Sequence, residues 1–303
     1  MRFKPAQRRM IRAKKHERKQ SFGFVFKMLL PLVLVIGIFT FVKTTTKFWN
    51  NTDKFAFTNI ESSGNVDVIV LDPKLGEITT ITIPAETEVD VARNYGTLRI
   101  KNVSKLSQNE KLDGKLVPET VTQNFLFPVT LWSDASLKDI FKFVFSPGKT
   151  NIPFGDRLMA GLFIMKIKDI DKTEIDMGKS QFLHKEKLND GQIGYKLVGK
   201  ISERLGIYFS DNEMASENLR VYIVDATNQA GVASNVGEIV EVLGGKIVSI
   251  DRKQEPQNSD CEVLGSNKNI NKKIANLLSC SVINDKTDFD LEIRLGTKFA
   301  SRF

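Results

Sequence analysis

The sequence has little of what most catalytic and metal chemistry uses. It has two histidines, His16 and His184, far apart in the chain. No Ser/His/Asp or Cys/His constellation can be assembled from them. It has two cysteines, Cys261 and Cys280, and no Cys-x-x-Cys. A zinc site built on clustered Cys and His is therefore not expected, and no metal ligand set is assigned. Neither a G-x-G-x-x-G nor a phosphate-binding P-loop is present, so the common nucleotide motifs are missing. An excess of one charge is also missing from most of the chain. The formal net charge of +8 belongs to residues 1–21, which hold nine Lys or Arg and one acid, Glu17. Beyond them acids and bases balance, so the high isoelectric point does not describe a basic folded domain.

What is present is one long apolar run, Phe22 to Val42. It is 21 residues long and carries a single charge, Lys27. About 20 apolar residues cross a bilayer as a helix, because lipid offers the backbone no water. Lys27 can snorkel to the interface, and Pro31 is tolerable in such a helix. The basic flank at 1–21 predicts a cytoplasmic tail. Residues 43–303 are then extracytoplasmic. A cleaved signal peptide would have a shorter apolar region and a small-residue cleavage site. The chain instead continues Lys43-Thr-Thr-Thr-Lys47-Phe-Trp49, which fits an uncleaved anchor. Phe48 and Trp49 suit the outer interface. The tail suits anionic headgroups rather than nucleic acid.

The remaining residues suffice for one large or two ordinary domains. Residues 43–53 read as a stalk. Lys54–Ile60 and the apolar run Val66–Leu71 read as strands, the second buried on both faces. Asp72–Gly76 is a turn, Thr79–Ile83 is the β-branched return strand, and Thr97–Val103 is a further strand. Pro118 marks a helix start. Ser136–Phe145 places Leu137, Ile140, Phe141 and Val144 on one helix face. Gly155–Ile170 is apolar round most of its circumference, as a core helix or the wall of a lipid groove. Leu188–Leu205 reads as a helix, and 210–218 as polar, with a linker at 213–218.

The last 85 residues carry the clearest pattern. Leu219–Val224 is a strand. Val232, Val236, Ile239, Val240 and Leu243 fall at helical spacing. Gly244-Gly245 closes that helix, and Lys246–Asp251 is the next strand, giving a βαβ unit. Cys261–Leu264, a helix carrying Ile270, Ile274, Leu277 and Leu278 behind Ser266 or Asn267, and the alternating strand Phe289–Leu295 follow. The fold class is α/β throughout: a single membrane helix, a mixed α/β domain over 54–212, and a small two-layer α/β domain over 219–303. Cys261 and Cys280 are a candidate disulfide if their two elements meet.

Two groups of polar residues are candidates for chemistry. Glu86, Asp90 and Arg93, with Glu88, follow the first hairpin. Paired carboxylates there hold Mg²⁺ or act as acid and base, and they are equally what an exposed edge shows. Asp225, Thr227, Asn228 and Gly231 form a loop between a strand and a helix N-terminus, where anions bind. The alternative is a tight turn capped by Asn228 or Thr227.

The segment Val221-Tyr-Ile-Val-Asp-Ala-Thr-Asn-Gln-Ala-Gly231-Val-Ala-Ser-Asn-Val236, continuing to Leu243-Gly244-Gly245-Lys-Ile-Val248, resembles the C-terminal domain of LytR-CpsA-Psr cell-envelope proteins. Upstream, Val66–Leu71, the turn Asp72–Gly76 and Thr80-Ile-Thr-Ile83-Pro84 resemble a reduced catalytic domain of that family. Leu188-Asn-Asp-Gly191-Gln-Ile-Gly-Tyr195 is similar to its helix start. The resemblance implies transfer of glycopolymers from a polyprenyl-pyrophosphate carrier to the cell wall, with arginines and acids holding pyrophosphate and Mg²⁺. The chain departs from it after Ile83-Pro84, where Arg-Asp is replaced by Ala85-Glu86. Its arginine-rich helix is met only by Lys196, Lys200 and Arg204. Without guanidinium forks a pyrophosphate is held loosely. The expectation is a non-catalytic envelope protein without cofactor, whose partners are membrane lipid, wall polymer, polyprenyl lipid or related envelope proteins. The other reading is a divergent transferase using Mg²⁺.

Overall fold

The residues expected to be buried on both faces sit at the centre of the first sheet. In the computed structural model, strand β2 (Val66–Asp72) is buried along its whole length. It pairs antiparallel with β1 (Phe55–Ile60) and β3 (Glu77–Ile83). The structure describes residues 35–37, 40–135, 137, 139–199 and 201–303. These fall into two units. One comprises Met1–Lys47 with Pro153–Asp156, and the other Phe48–Ile152 with Arg157–Phe303.

In the first unit, residues 35–37 and 40–45 are helical. The Lys47 backbone N–H donates to both Asp156 carboxylate oxygens at 3.1 Å. The Phe41 and Phe154 rings lie 5.8 Å apart. The basic tail, Lys27, Pro31 and most of the expected span lie outside the described residues. Among the described residues no helix is long and apolar enough to cross a membrane.

In the second unit, the first sheet is completed by β6 (Leu131–Ser133) beside β1 and by β7 (Lys172–Asp176) beside β3, both parallel to their neighbours. Pleating sends alternate β2 residues to opposite faces. Val66, Val68 and Val70 pack on a core shared with helices α1 (Ile100–Asn109) and α2 (Leu116–Phe125). The other face carries Phe57, whose ring lies 5.6 Å from Phe143 of α3 (Ile140–Phe145). Trp49 bridges there between Phe55 and Phe163 of α4 (Phe154–Lys166). Trp49 is thus a core residue and not an interfacial anchor, while Phe48 is 39% exposed.

Several expectations are corrected. The strand expected over Thr97–Val103 ends at Arg99. Here β5 (Gly96–Arg99) pairs with β4 (Glu88–Val91), and α1 begins at Ile100. The helix wins because Ile100, Val103 and Ser107 share one buried face. In addition, the first free N–H groups, of Ile100 and Lys101, find the Thr87 and Ala85 carbonyls. The helix expected over Leu188–Leu205 is mostly a hairpin, β8 (Leu183–Lys187) and β9 (Ile193–Leu197). Asn189-Asp-Gly191 is its turn, with Gly191 at φ 80°. Among the described residues there, only α5 (Ser202–Leu205) is helical. The α3 helix is shorter than expected and buries Phe143 and Val144, leaving Phe141 exposed. Residues 210–218 carry α6 (Asn212–Glu217), capped by Asp211, with Met214 in the C-terminal core.

The C-terminal pattern appears as read. β10 (Arg220–Asp225), α7 (Val232–Val242) and β11 (Lys246–Arg252) make the βαβ unit, with β10 and β11 parallel. The five-stranded order is β11-β10-β14-β12-β13, using β12 (Cys261–Gly265), β13 (Ser281–Val282) and β14 (Leu291–Leu295). Helix α8 (Lys268–Leu278) is capped by the Asn267 side chain, which accepts from Asn269 and Ile270. A last helix, α9, covers Thr297–Arg302. Cys261 and Cys280 are bonded, with Cα atoms 4.8 Å apart. Stalk residue Asp53 reaches this module, at 2.6 Å from Lys273, which also meets Asp211 and Glu213. Burial alone would lower the Lys273 ammonium. Hydrogen bonds to Asp53 and Asp211 outweigh it and raise the group above its ordinary value.

Candidate functional site

The first candidate group does not form one cluster. β3 ends at Ile83, and the chain turns through Pro84 and Ala85 to Glu86. The Ala85 N–H donates to the Asn65 side-chain oxygen at 2.9 Å, which fixes that turn. Glu86 is ion-paired through its two oxygens with Arg99 and Lys101. Arg99 also donates from Nε and Nη2 to Asp190, at 3.0 Å and 2.7 Å. Asp190 sits in the turn of the β8–β9 hairpin, far away in sequence. Four charged side chains therefore converge where β3 ends and the hairpin docks. The docking is backbone-to-backbone: Tyr195 N–H donates to the Glu86 carbonyl at 3.0 Å. Gly194 is needed there, since a Cβ would fall 2.6 Å from that same carbonyl.

The electrostatics follow from these pairs. Hydrogen bonds from Lys101, then Arg99, hold the Glu86 carboxyl below its ordinary value. The Gln192 backbone N–H, then Arg99, does the same for Asp190. Both carboxylates are ionised and engaged at neutral pH, which makes them poor proton acceptors. Beside them lies a polar cavity of about 260 Å³ lined by Asn65, Thr82, Pro84, Asp176, Gly178, Lys179 and Tyr195.

Asp90 and Arg93 face elsewhere. Asp90 accepts from the Thr97 hydroxyl across the β4–β5 pair at 2.7 Å. Glu88 stands opposite Arg99 in that pair. Arg93 has the unusual φ of 64° for a side-chain-bearing residue. It makes a two-pronged contact with Glu119 of α2, at 2.7 Å and 2.6 Å, which keeps its guanidinium charged. This pair lines a second cavity of about 350 Å³. Its walls include Val129, Leu131, Leu277 and Phe303, and its charged residues are Arg93, Lys115, Glu119 and Arg302. Arg302 is tied to Asp260 at 2.8 Å and to the Leu278 and Ser279 carbonyls, each at 3.0 Å. Lys115 is exposed and makes no ion pair among the described residues. Basic side chains thus meet an apolar wall, with one ammonium uncompensated.

The Asp225–Gly231 loop is occupied by its own hydrogen bonds. Asp225, almost wholly buried, accepts from the Thr227 N–H at 3.0 Å and from its hydroxyl at 2.5 Å. Gly231, not Asn228 or Thr227, stands at the cap position of α7, at φ 88° and without a side-chain hydrogen bond. Asn228 takes a left-handed φ of 56°. Arg252 of β11 adds a contact from outside, its Nε 3.4 Å from the other Asp225 oxygen, so the loop is a turn whose acid is already engaged. His184 is exposed on β8, Lys196 lies 3.9 Å from Glu186, and Arg204 is exposed. His184 and Lys196 stand opposite each other in the β8–β9 pair, and Lys200 lies outside the described residues.

Sequence reasoning singled out Glu86 and Arg93 but missed their partners. Arg99 and Lys101 carry a local signal, since two bases follow a cluster of acids within 15 residues. Asp190, Lys115 and Arg302 carry none, because only the tertiary fold brings them near.

No family model matches the chain, and no curated protein does. Solved structures, a LytR-CPS2A-psr family protein among them, are similar to between half and two thirds of it. Bacillus subtilis TagT matches with a TM-score of 0.38 and 11% identity, over 50% of this chain and 88% of that one. The family protein YwtF (TagT) with bound octaprenyl pyrophosphate lipid matches at 0.37 and 12%, over 50% and 87%. Protein gbs0355 from Streptococcus agalactiae matches at 0.33 and 8%, over 65% and 90%. At these identities and scores the likeness carries no argument about activity.

Proposed function

We propose that this chain is a membrane-anchored, extracytoplasmic protein of the cell envelope. In this reading it binds wall polymer or the lipid that carries it, and does not convert it. The observation that carries the proposal is the Cys261–Cys280 bond. Disulfides persist outside the cytoplasm, and residues 43–303 are the part that the basic tail and apolar run assign to that side. The larger cavity supports a binding role, because apolar walls beside Lys115 suit an anionic amphiphile. The engaged state of Glu86 favours binding over acid–base or Mg²⁺ chemistry, since both its oxygens already face cations.

The test uses the full chain in detergent micelles. Octaprenyl pyrophosphate and purified anionic wall polymer are the two probes. Retention of either probe unchanged, weakened by Lys115→Glu, is expected. Absence of retention of both would count against the proposal.

One observation favours a second reading, a divergent glycopolymer transferase with Mg²⁺. Arg99 draws Glu86 and Asp190 together beside the polar cavity. Release of polyprenyl phosphate from a pyrophosphate-linked glycopolymer as the phosphorylated polymer passes to a wall hydroxyl, Mg²⁺-dependent and lost in Glu86→Ala, would establish it. Equal background in both proteins would end it.

A further inference from the structure

Helices α3 and α4 pack closely at Gly161, where a Cβ would fall 2.5 Å from a Val144 methyl. On their inner side Phe143, Ala160 and Ile164 are buried. On the outer side the residues bordering the same seam are large, apolar and in water. Phe141 is 72% exposed, Met165 69% and Leu162 46%, and Ile170, just past the end of α4, is 89% exposed. Scattered exposed apolar residues need no explanation, but a cluster along one seam marks an interaction surface. Exposed lysines punctuate it: Lys142, Lys166 and Lys168. Of the nearby acids, Asp139 and Asp169 are paired, with Lys142 and Lys172, and Asp171 is exposed beside Ile170, so Lys166 and Lys168 are the lysines left to meet phosphates.

We infer that this seam docks in the headgroup layer of the bilayer that anchors the chain. The inference rests on the membrane-anchored reading above and adds a second contact to it. Two arguments select lipid as the occupant. Aromatic and aliphatic side chains interleaved with lysines are the chemistry of interfacial helices, with rings in the acyl boundary and ammonium groups at phosphates. The tether is also short. Only five residues, Lys43 to Lys47, lie between Val42, the end of the apolar run, and Phe48, the first residue of the second unit. Even fully extended they reach only about 20 Å. The seam is therefore held at high local concentration near the membrane, where weak apolar and electrostatic contacts suffice.

The test places a polarity-sensitive fluorophore on the full chain through Lys142→Cys, labelled without reductant so that the native cysteines stay bonded. The protein is reconstituted in vesicles of phosphatidylcholine and phosphatidylglycerol, and the same label at Lys185→Cys on β8 is the reference. The expected result is that the protein floats with the vesicles and the Lys142→Cys label shifts to the blue and is quenched by spin-labelled lipid. The reference label stays water-like. Phe141→Asp with Met165→Asp, both at exposed positions, abolishes the shift while flotation persists. A floating protein whose Lys142→Cys label stays water-like overturns the inference and leaves the anchor standing. A blue shift that lipid does not quench means a protein partner, such as a second copy, and also overturns it. A protein that does not float overturns the anchored reading, and this inference with it.

Discussion

At the scale of single residues, the charged group around Glu86 makes a pH-dependent claim. Its folded-state pKa, and that of Asp190, lie below the ordinary carboxylate value. The unfolded or undocked chain then takes up protons at higher pH than the docked one. The stabilisation is complete above the ordinary carboxylate range of about 4 and is lost as pH falls through the lower folded values. The protection of residues 183–197 against hydrogen exchange, relative to the intrinsic rate at each pH, should fall below about pH 4, and Arg99→Ala should flatten that dependence. Unchanged protection of the hairpin at pH 3 would contradict the pairing. The cysteine pair makes a second claim. Its sequence separation is 19, so replacing both with serine should cost about 3 kcal/mol through the larger entropy of the unfolded chain. Denaturant unfolding of the oxidised and substituted proteins measures it. Glu86 and both cysteines were legible because rare or clustered residue types stand out in a sequence. Their geometry was not, since a Cα separation is a property of the fold.

At the scale of elements, legibility tracked the period of the apolar pattern. The C-terminal βαβ unit was readable because its helix repeats near 3.6 and its flanking strands are apolar, with Gly244-Gly245 as a clear stop. The β8–β9 hairpin was misread for a physical reason. Ile193, Tyr195 and Leu197 alternate as a strand does, but Ile193 is 64% exposed and Gly194 is the residue facing inward. Tyr195 and Leu197 nevertheless pack on the core of the first sheet, so the alternation was present and Asn189-Asp-Gly191 was read as a helix start where it is a hairpin turn. Arg99 was likewise read as mid-strand, because the backbone bonds that start α1 come from Thr87 and Ala85, a turn earlier in the fold. Gly194 gives the matching prediction. Gly194→Ala puts a methyl against the Glu86 carbonyl and the Leu188 side chain. It should undock the hairpin, and limited proteolysis should cut near Asn189-Asp-Gly191 much faster than in the parent. The C-terminal sheet, which makes no use of Gly194, should keep its protection. Equal cleavage of both proteins would show that the hairpin docks in another way.

At the scale of the whole molecule, charge and hydropathy are segregated along the chain rather than spread over a surface. All of the net charge precedes the apolar run, and balanced charge follows it. That asymmetry is the origin of the topological reading, and the bonded cysteine pair agrees with it from the opposite end of the chain. The ties that hold the second unit together were hidden from the sequence. Lys273 gathers Asp53, Asp211 and Glu213 from two distant places in the chain, and Val242 of α7 joins the core of the first sheet. Neither contact leaves a mark in local pattern.

The account stands most directly on which side of the membrane the second unit lies. Lys185→Cys, with the native pair bonded, offers one exposed thiol on β8 for a membrane-impermeant maleimide applied to intact cells. The account predicts labelling before lysis, at the same extent as after it. Labelling that appears only once the cells are opened would contradict it.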